Sequence, residues 1–364
     1  MILELLIHNL TKENIPELNK DKCINTYCKS SRCQICKESC FENAIIFKNG
    51  QIYFDEKLCT ECGMCKVKCP TQAITLKGIG DEEIYVNAEE KENLVFSCSL
   101  EGAIGNLKIS CLNSLHPELI SALFIIHKEK KFHFNLSSCV KCQYGYDNSL
   151  FKDNLDKALI FVKQIGINPI FEIHTEESEN SKLQDLITEV ISRRNLFKMA
   201  KKESGNVVIK TLNTIIESNK NELFNRSVLL ESLKNVKVEG ESCSSDMFWE
   251  YWNVNINCDG CSKCIDVCPG KAWKIEKSER NIKVYYNFGN CFKCGLCEEI
   301  CPKKALSKES ISYFQLPKFI LKKEINLQTC STCNKKFIPK SKKDSQCDIC
   351  KKKELLRKKI SQFM

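Results

Sequence analysis

The sequence contains no uncharged apolar run approaching the roughly 18 residues that a membrane span needs; Leu119 to Ile126 comes nearest, and lysines end it. The first ten residues carry Glu4, have no basic flank and lead into the polar run Thr11 to Asn14. That is not the pattern of a secretory signal, so a cytoplasmic protein without a membrane span is expected. No Gly-rich dinucleotide fingerprint, P-loop or H-E-x-x-H is present, and the five histidines are scattered. Nothing therefore marks a site for hydride transfer or hydrolysis, and no catalytic residue is assigned. His133, which alternates with Phe132 and Phe134, reads as a strand residue.

What the sequence has in excess is cysteine, 26 in 364 residues. In a reducing cytosol such thiols read as metal ligands, not as a disulfide framework. The formal charge of +9 suggests a polyanionic partner, yet it ignores those thiolates. Four 4Fe-4S clusters, each about −2 with its ligands, would offset about −8 of it. The lysine-dense stretch Lys335 to Lys359 stays basic regardless.

The cysteines fall into four blocks, and the block edges set the expected organisation. Residues 1–80 and 246–316 each repeat the order cysteine quartet, short hairpin, cysteine quartet. In the first, Ala44 to Phe47 and Gln51 to Phe54 flank the turn Asn49-Gly50. In the second, Trp273 to Ile275 and Ile282 to Tyr286 flank Ser278 to Arg280. Residues 81–178 read as a small α/β unit, with strands at Leu94 to Ser97, Leu107 to Ser110, Lys131 to Leu136 and Pro169 to Ile173. Helices are expected there at Pro117 to His127 and Phe151 to Ile165. Residues 179–245 read as a helical connector, because Leu183, Leu186, Ile187, Val190 and Ile191 recur at helical spacing. Residues 317–364 form a basic tail. The fold class is α+β.

The sharpest signal is Cys258, Cys261, Cys264 and Cys268-Pro269, followed by Cys291, Cys294, Cys297 and Cys301-Pro302, each spaced C-x2-C-x2-C-x3-C-P. Closely spaced cysteines wrap a cubane and turn backbone N–H groups toward its sulfurs, and Gly260 and Gly295 give the backbone freedom to bend close. The N-terminal copy has one intact motif, Cys59, Cys62, Cys65 and Cys69-Pro70. Its other motif is altered: Cys28, Cys33, Cys36 and Cys40 are separated by four, two and three residues, and Phe41 stands where proline is expected. Cys23 lies nearby, so either Cys23 or Cys28 supplies the first thiolate, and a damaged or three-iron site is an alternative there.

These segments resemble the bacterial two-cluster ferredoxins, in which the fourth cysteine of each motif ligates the other cluster. The resemblance implies quartets of Cys258, Cys261, Cys264 and Cys301, and of Cys291, Cys294, Cys297 and Cys268. In the N-terminal copy it implies Cys59, Cys62, Cys65 and Cys40, and Cys33, Cys36 and Cys69 with Cys28 or Cys23. The whole chain resembles uncharacterised dicluster-ferredoxin proteins of bacteria, a resemblance that brings no substrate.

Cys98, Cys111 and Cys139 each fall just past an expected strand, and Cys142 follows as C-x2-C. Strand carboxyl ends in an open parallel sheet converge on one edge, so the four thiols either meet at a fifth metal site or are buried structural thiols. The pattern resembles the small iron-sulfur subunit linking hydrogenases to heterodisulfide reductases, which implies a two-iron cluster. Cys330, Cys333, Cys347 and Cys350 form two C-x2-C knuckles thirteen residues apart, the spacing of a zinc ribbon, with a rubredoxin-like iron site as the alternative. Cys243 and one of Cys23 or Cys28 are left over. Ser192 to Lys198 has the look of a twin-arginine signal but is internal, and reads as a helix surface or docking element.

The expected function is single-electron relay by a carrier or oxidoreductase subunit, docking acidic partners such as flavodoxin or ferredoxin through lysine-rich surfaces. The alternatives are a redox enzyme with a catalytic cluster or disulfide at Cys98, Cys111, Cys139 and Cys142, and a ribbon-based nucleic-acid binder. Without aromatic interleaving in the basic tail, nucleic acid is not the expected partner.

Overall fold

The short hairpin expected between the two cysteine quartets at each end is present in the computed structural model, which describes residues 15–27, 33–48, 51–76, 80–142, 144–145, 147–188, 223–234, 236, 248–310, 316–339, 341 and 343–361. Cys28, Cys243, the Asn49-Gly50 turn, the Ser192 to Lys198 run and most of the expected connector lie outside the described residues. The chain divides into two compact units, Met1–Phe248 with Ile311–Leu316, and Trp249–Ser310 with Pro317–Met364.

In the first unit, β1 (Pro16–Leu18) pairs antiparallel with β4 (Ile74–Leu76), while β2 (Ile45–Lys48) and β3 (Gln51–Phe54) form a hairpin in register Ile45 to Phe54. Successive strand residues face opposite sides, so one side of this small sandwich is apolar. Its core joins Ile45 and Ile74 to Cys36 and Cys65, with Leu18, Phe47, Ile52, Phe54, Cys40 and Cys69 packed around them. The thiols are therefore part of the hydrophobic core.

The central part of this unit is a four-stranded parallel sheet of β5 (Leu94–Cys98), β6 (Leu107–Ile109), β7 (Lys131–Asn135) and β8 (Ile170–His174), in the order β6-β5-β7-β8. All five residues of β5 are buried, as expected for a central strand of a sheet covered on both faces. Phe132 and Phe134 of β7 project from one face, where Phe96, Phe124 and Phe151 pack against them. The helices Pro117–Ile126 and Ser149–Lys163 carry Phe124 and Phe151. The helix Asn180–Thr188 is tied to the sheet by Asn135 Nδ2 donating to Asn180 Oδ1 at 3.0 Å and Asn93 Nδ2 donating to the Leu186 carbonyl at 3.2 Å.

The sequence reading did not anticipate the helix Asp81–Glu90. Lys130 Nζ caps its end through the carbonyls of Ala88, Glu89 and Lys91. Helix Phe224–Leu233, inside the expected connector, packs on Pro117–Ile126 through a buried ion pair: Arg226 Nε donates to Glu118 Oε2 at 3.0 Å and Arg226 Nη2 to Oε1 at 2.7 Å. Burial opposes the Glu118 charge, but Arg226, helped by His116 and Gln72, outweighs it and holds the carboxyl below its usual range.

The second unit repeats the plan of β1 to β4, with β9 (Trp252–Val254) on β12 (Leu306–Lys308) and a hairpin of β10 (Trp273–Lys277) and β11 (Asn281–Tyr286). Trp249, Tyr251, Trp273, Tyr286 and Phe288 fill its core. A third strand, β13 (Ile320–Asn326), pairs antiparallel with β11, so the segment expected to begin the tail is sheet in this unit. The tail proper is the hairpin β14 (Gln328–Thr329) and β15 (Lys336–Phe337) followed by helix Asp348–Ser361.

Candidate metal centres

The four cysteine motifs fold into one repeated loop. In each, the third cysteine is the second residue of a short helix: Cys36 in Ile35–Glu38, Cys65 in Met64–Lys68, Cys264 in Lys263–Asp266 and Cys297 in Leu296–Glu299. Four residues after each fourth cysteine stands a buried alanine whose N–H donates to that sulfur. The pairs are Ala44 to Cys40 Sγ at 3.3 Å, Ala73 to Cys69 Sγ at 3.3 Å, Ala272 to Cys268 Sγ at 3.2 Å and Ala305 to Cys301 Sγ at 3.3 Å. The residue before each alanine is left-handed: Asn43, Gln72, Lys271 and Lys304 have φ of 52°, 46°, 52° and 45°. Each non-glycine residue there carries a strain cost, and the turn aims an amide at a sulfur. This C-x3-A device is legible in the sequence once the four copies are aligned, and it was not read there. Phe41, in place of proline, is 70% exposed and leaves the turn unchanged.

The first half of the loop is less uniform. In the three intact motifs the residues before and after the second cysteine are both left-handed: Glu61 and Gly63, Gly260 and Ser262, Lys293 and Gly295. In the altered motif Gln34 takes the place of Gly63, and its φ is −125°. Among the described residues the departure shows at Gln34, between Cys33 and Cys36.

Cys23, Cys33, Cys36 and Cys69 line one cavity, Cys40, Cys59, Cys62 and Cys65 a second, and Cys258, Cys261, Cys264 and Cys301 a third. Cys268, Cys291, Cys294 and Cys297 interact as a fourth group. Burial first, and then the neighbouring thiols, push Cys36 up to about 12; burial and Cys258 and Cys261 do the same to Cys264. Cys65 and Cys297 are raised further in the same way. Buried thiolates this close repel one another, so a polycation is needed before all four in a group can ionise. An all-sulfur donor set around a cavity, with amides aimed at sulfur, fits a 4Fe-4S cubane.

The central cysteines converge. Cys98 ends β5, Cys111 follows β6 and Cys139 lies in the turn Ser137–Lys141 after β7. With Cys142 they line a cavity of about 150 Å³. Cys62, from the second of the quartets above, lines the same cavity, as do Thr60 and Glu61. Cys62 and Cys142 also pack against Met64 and Leu150. Burial pushes Cys111 up to about 12, the Asn113 amide opposing it and Cys62, Cys139 and Cys98 adding to it. Burial and then Cys98 and Cys142 bring Cys139 to about 11.

In the tail, the Sγ atoms of Cys330, Cys333, Cys347 and Cys350 lie within 4.8 Å of one another. Cys333 and Cys347 are 3.9 Å apart, close to the roughly 3.8 Å edge of a tetrahedron with Zn–S near 2.3 Å. The Cys347 amide donates to Cys330 Sγ at 3.3 Å and is the main reason that thiol is lowered to about 6. Hydrogen bonding with Cys347 and Cys333 raises Cys350 to about 12.

One group escaped the sequence reading. His133, read as a plain strand residue, lies beside Glu172 and His174 of β8 on the sheet face opposite Phe132 and Phe134. Only the pairing of two strands some forty residues apart in sequence shows it; the Glu-x-His spacing in β8 was the available hint.

Residues 257–305 match the 4Fe-4S dicluster domain family, and residues 52–75 match the 4Fe-4S binding domain family. Two uncharacterized ferredoxins of Methanocaldococcus jannaschii are similar to parts of the chain. One is 35% identical over 74 residues, covering 20% of this chain and 45% of the relative. The other is 39% identical over 54 residues, covering 15% and 36%. The chain thus spans less than half the length of either relative. Among the described residues no helix is long and apolar enough to cross a membrane. Segments that match 4Fe-4S domain families thus lie in both halves of the chain, over the same cysteines that line the cavities described above.

Proposed function

We propose that the chain relays single electrons through four 4Fe-4S clusters and a fifth iron-sulfur centre in the central unit, as a partner or subunit of an oxidoreductase. The observation that carries this reading is the shared wall. Cys62 belongs to the Cys40, Cys59, Cys62 and Cys65 quartet and also lines the cavity of Cys98, Cys111, Cys139 and Cys142. Clusters bound at these quartets supply one-electron sites. The residues do the rest: thiolates fix the positions, and the alanine amides favour the more reduced, more negative state. In the altered motif, Cys23 is the fourth ligand beside Cys33, Cys36 and Cys69.

The tail cysteines hold one zinc ion, and the exposed lysines of Asp348–Ser361 give an acidic flavodoxin or ferredoxin a surface to meet. A reducing cytosol suits so many free thiols.

Anaerobic counts of iron, acid-labile sulfide and zinc test the reading. About sixteen irons and sixteen sulfides in four cubanes, about two more irons in the central site, and one zinc are expected. Cys139→Ser should remove only the extra irons. If that variant instead abolishes a turnover with the irons unchanged, the central cysteines are a catalytic disulfide. A colourless preparation holding zinc alone overturns the electron-relay reading.

A further inference from the structure

We propose that His133, Glu172 and His174 form a separate site for one divalent transition-metal ion, zinc first among them, on the sheet face away from the phenylalanine core. Three donor atoms meet there. His133 Nδ1 and His174 Nε2 are 3.0 Å apart. Glu172 Oε2 is 3.5 Å from the first and 3.8 Å from the second. Those last two distances are too long for good hydrogen bonds. All three separations bracket the roughly 3.3 Å edge of a tetrahedron whose centre lies about 2.05 Å from each N or O donor.

The surroundings prepare the donors. Glu179 Oε1 lies 3.1 Å from His174 Nδ1, so that nitrogen carries the proton and Nε2 presents its lone pair, an arrangement common behind metal-bound imidazoles. Glu179 is itself held by the backbone amides of Thr175 and Glu176. Lys131 Nζ binds Glu172 Oε1 at 2.6 Å, which leaves Oε2 for the ion. Both imidazoles are buried, whereas the Glu172 side chain is about half exposed, 49%, so the site opens to solvent beside the edge strand β8. Two imidazoles and one carboxylate suit zinc and its first-row neighbours. Three protein ligands leave one tetrahedral position for water or a small anion.

The strand pairing explains why the trio is held. His133 and Glu172 are directly opposite across parallel strands, and His174 is two residues on, on the same face. The donors stand on sheet backbone that the fold fixes without a metal.

Zinc binding decides the matter, read separately from the iron-sulfur clusters. Anaerobic holoprotein is washed with a weak chelator, titrated with zinc chloride against a competing chelator, and assayed for zinc, iron and sulfide. Wild type should bind one zinc more than His174→Gln or Glu172→Gln, with iron and sulfide unchanged in all three. Glu179→Gln should weaken that zinc about 10- to 100-fold, the effect of losing a partner behind a ligand. Glu172→Gln is the safeguard against misfolding, because its side chain is half exposed. The proposal fails if these variants bind as much zinc as wild type, or if the additional zinc disappears with Cys98→Ser and not with the histidine variant.

Discussion

Replacing Gly63 with alanine tests whether the loop of Cys62 rests on the central unit. Gly63 has φ of 73°, and a Cβ built there falls 2.6 Å from Ser114 Cβ and 2.9 Å from Leu76 Cδ1. Ser114 sits in the turn Leu112–Ser114 that follows Cys111. Gly295 occupies the same place in another motif, with φ of 74° and nothing within 4 Å of its built Cβ. Both substitutions incur the left-handed backbone cost of about 1–2 kcal/mol. Only Gly63→Ala adds overpacking, typically about 1–3 kcal/mol. Gly63→Ala should therefore cost about 2–5 kcal/mol against about 1–2 for Gly295→Ala. The assay is the anaerobic thermal loss of visible absorbance, with iron counted as it proceeds. Gly63→Ala should bleach at lower temperature than Gly295→Ala, and its first irons should come from the Cys40, Cys59, Cys62 and Cys65 quartet. Equal effects of the two substitutions would mean that the loop does not bear on Ser114, and the shared wall between the two sites would go with it.

Other expectations follow from single contacts. Cys23→Ala should remove about one quarter of the cubane iron and sulfide, or about one sixteenth of the iron if a three-iron cluster survives, whereas Cys28→Ala should change neither; metal analysis with electron paramagnetic resonance separates these, and loss on Cys28→Ala alone would reverse the ligand assignment. Arg226→Ala strands the buried Glu118 carboxylate and should cost about 3–5 kcal/mol, while Arg226→Leu with Glu118→Met should recover most of it; denaturant titrations of both variants check this, and a mild single variant contradicts it. His127 is buried and its pKa is lowered to about 4, by burial first and then Lys130. The unfolded chain therefore binds the extra proton between about 6.5 and 4, so stability should fall as pH drops through that window, by at most about 3 kcal/mol because Glu89 at 3.7 Å works the other way. His127→Gln should flatten that part of the pH profile, and an unchanged slope would count against the argument.

Motif spacing and strand periodicity made the hairpins, the central strands and the positions of Cys98, Cys111 and Cys139 just past them legible, because each depends on residues close together in the sequence. The central strands were placed within a residue or two: Leu94 to Ser97 is Leu94–Cys98, and Pro169 to Ile173 is Ile170–His174. What stayed hidden depends on pairing between distant segments. The strand Ile320–Asn326 reads as lysine-rich tail until Val284 and its neighbours pair with it. His133 reads as one residue between two phenylalanines until β8 brings Glu172 and His174 alongside. The ion pair of Arg226 and Glu118 joins helices 108 residues apart, and no local pattern marks either partner. The convergence of Cys62 on the central cysteines is of the same kind, since a short loop meets the end of a sheet.

The repeated loop also says where the altered motif matters. On the proposed ligand sets each motif does two jobs: three thiolates build one cage, and the fourth cysteine closes the neighbouring one. In the altered copy, the changed spacing and the ordinary φ of Gln34 fall within the first job. The second is intact, with Asn43 left-handed and the Ala44 amide on Cys40 Sγ at 3.3 Å as in the other copies. Any weakness therefore belongs to the cage of Cys23, Cys33, Cys36 and Cys69. The cage that Cys40 closes is the one whose Cys62 faces the central cavity. The proposed electron path from that cage to the central cysteines therefore tolerates a damaged neighbour, because Cys59, Cys62 and Cys65 come from the intact motif and Cys40 from the unaltered half of the altered loop.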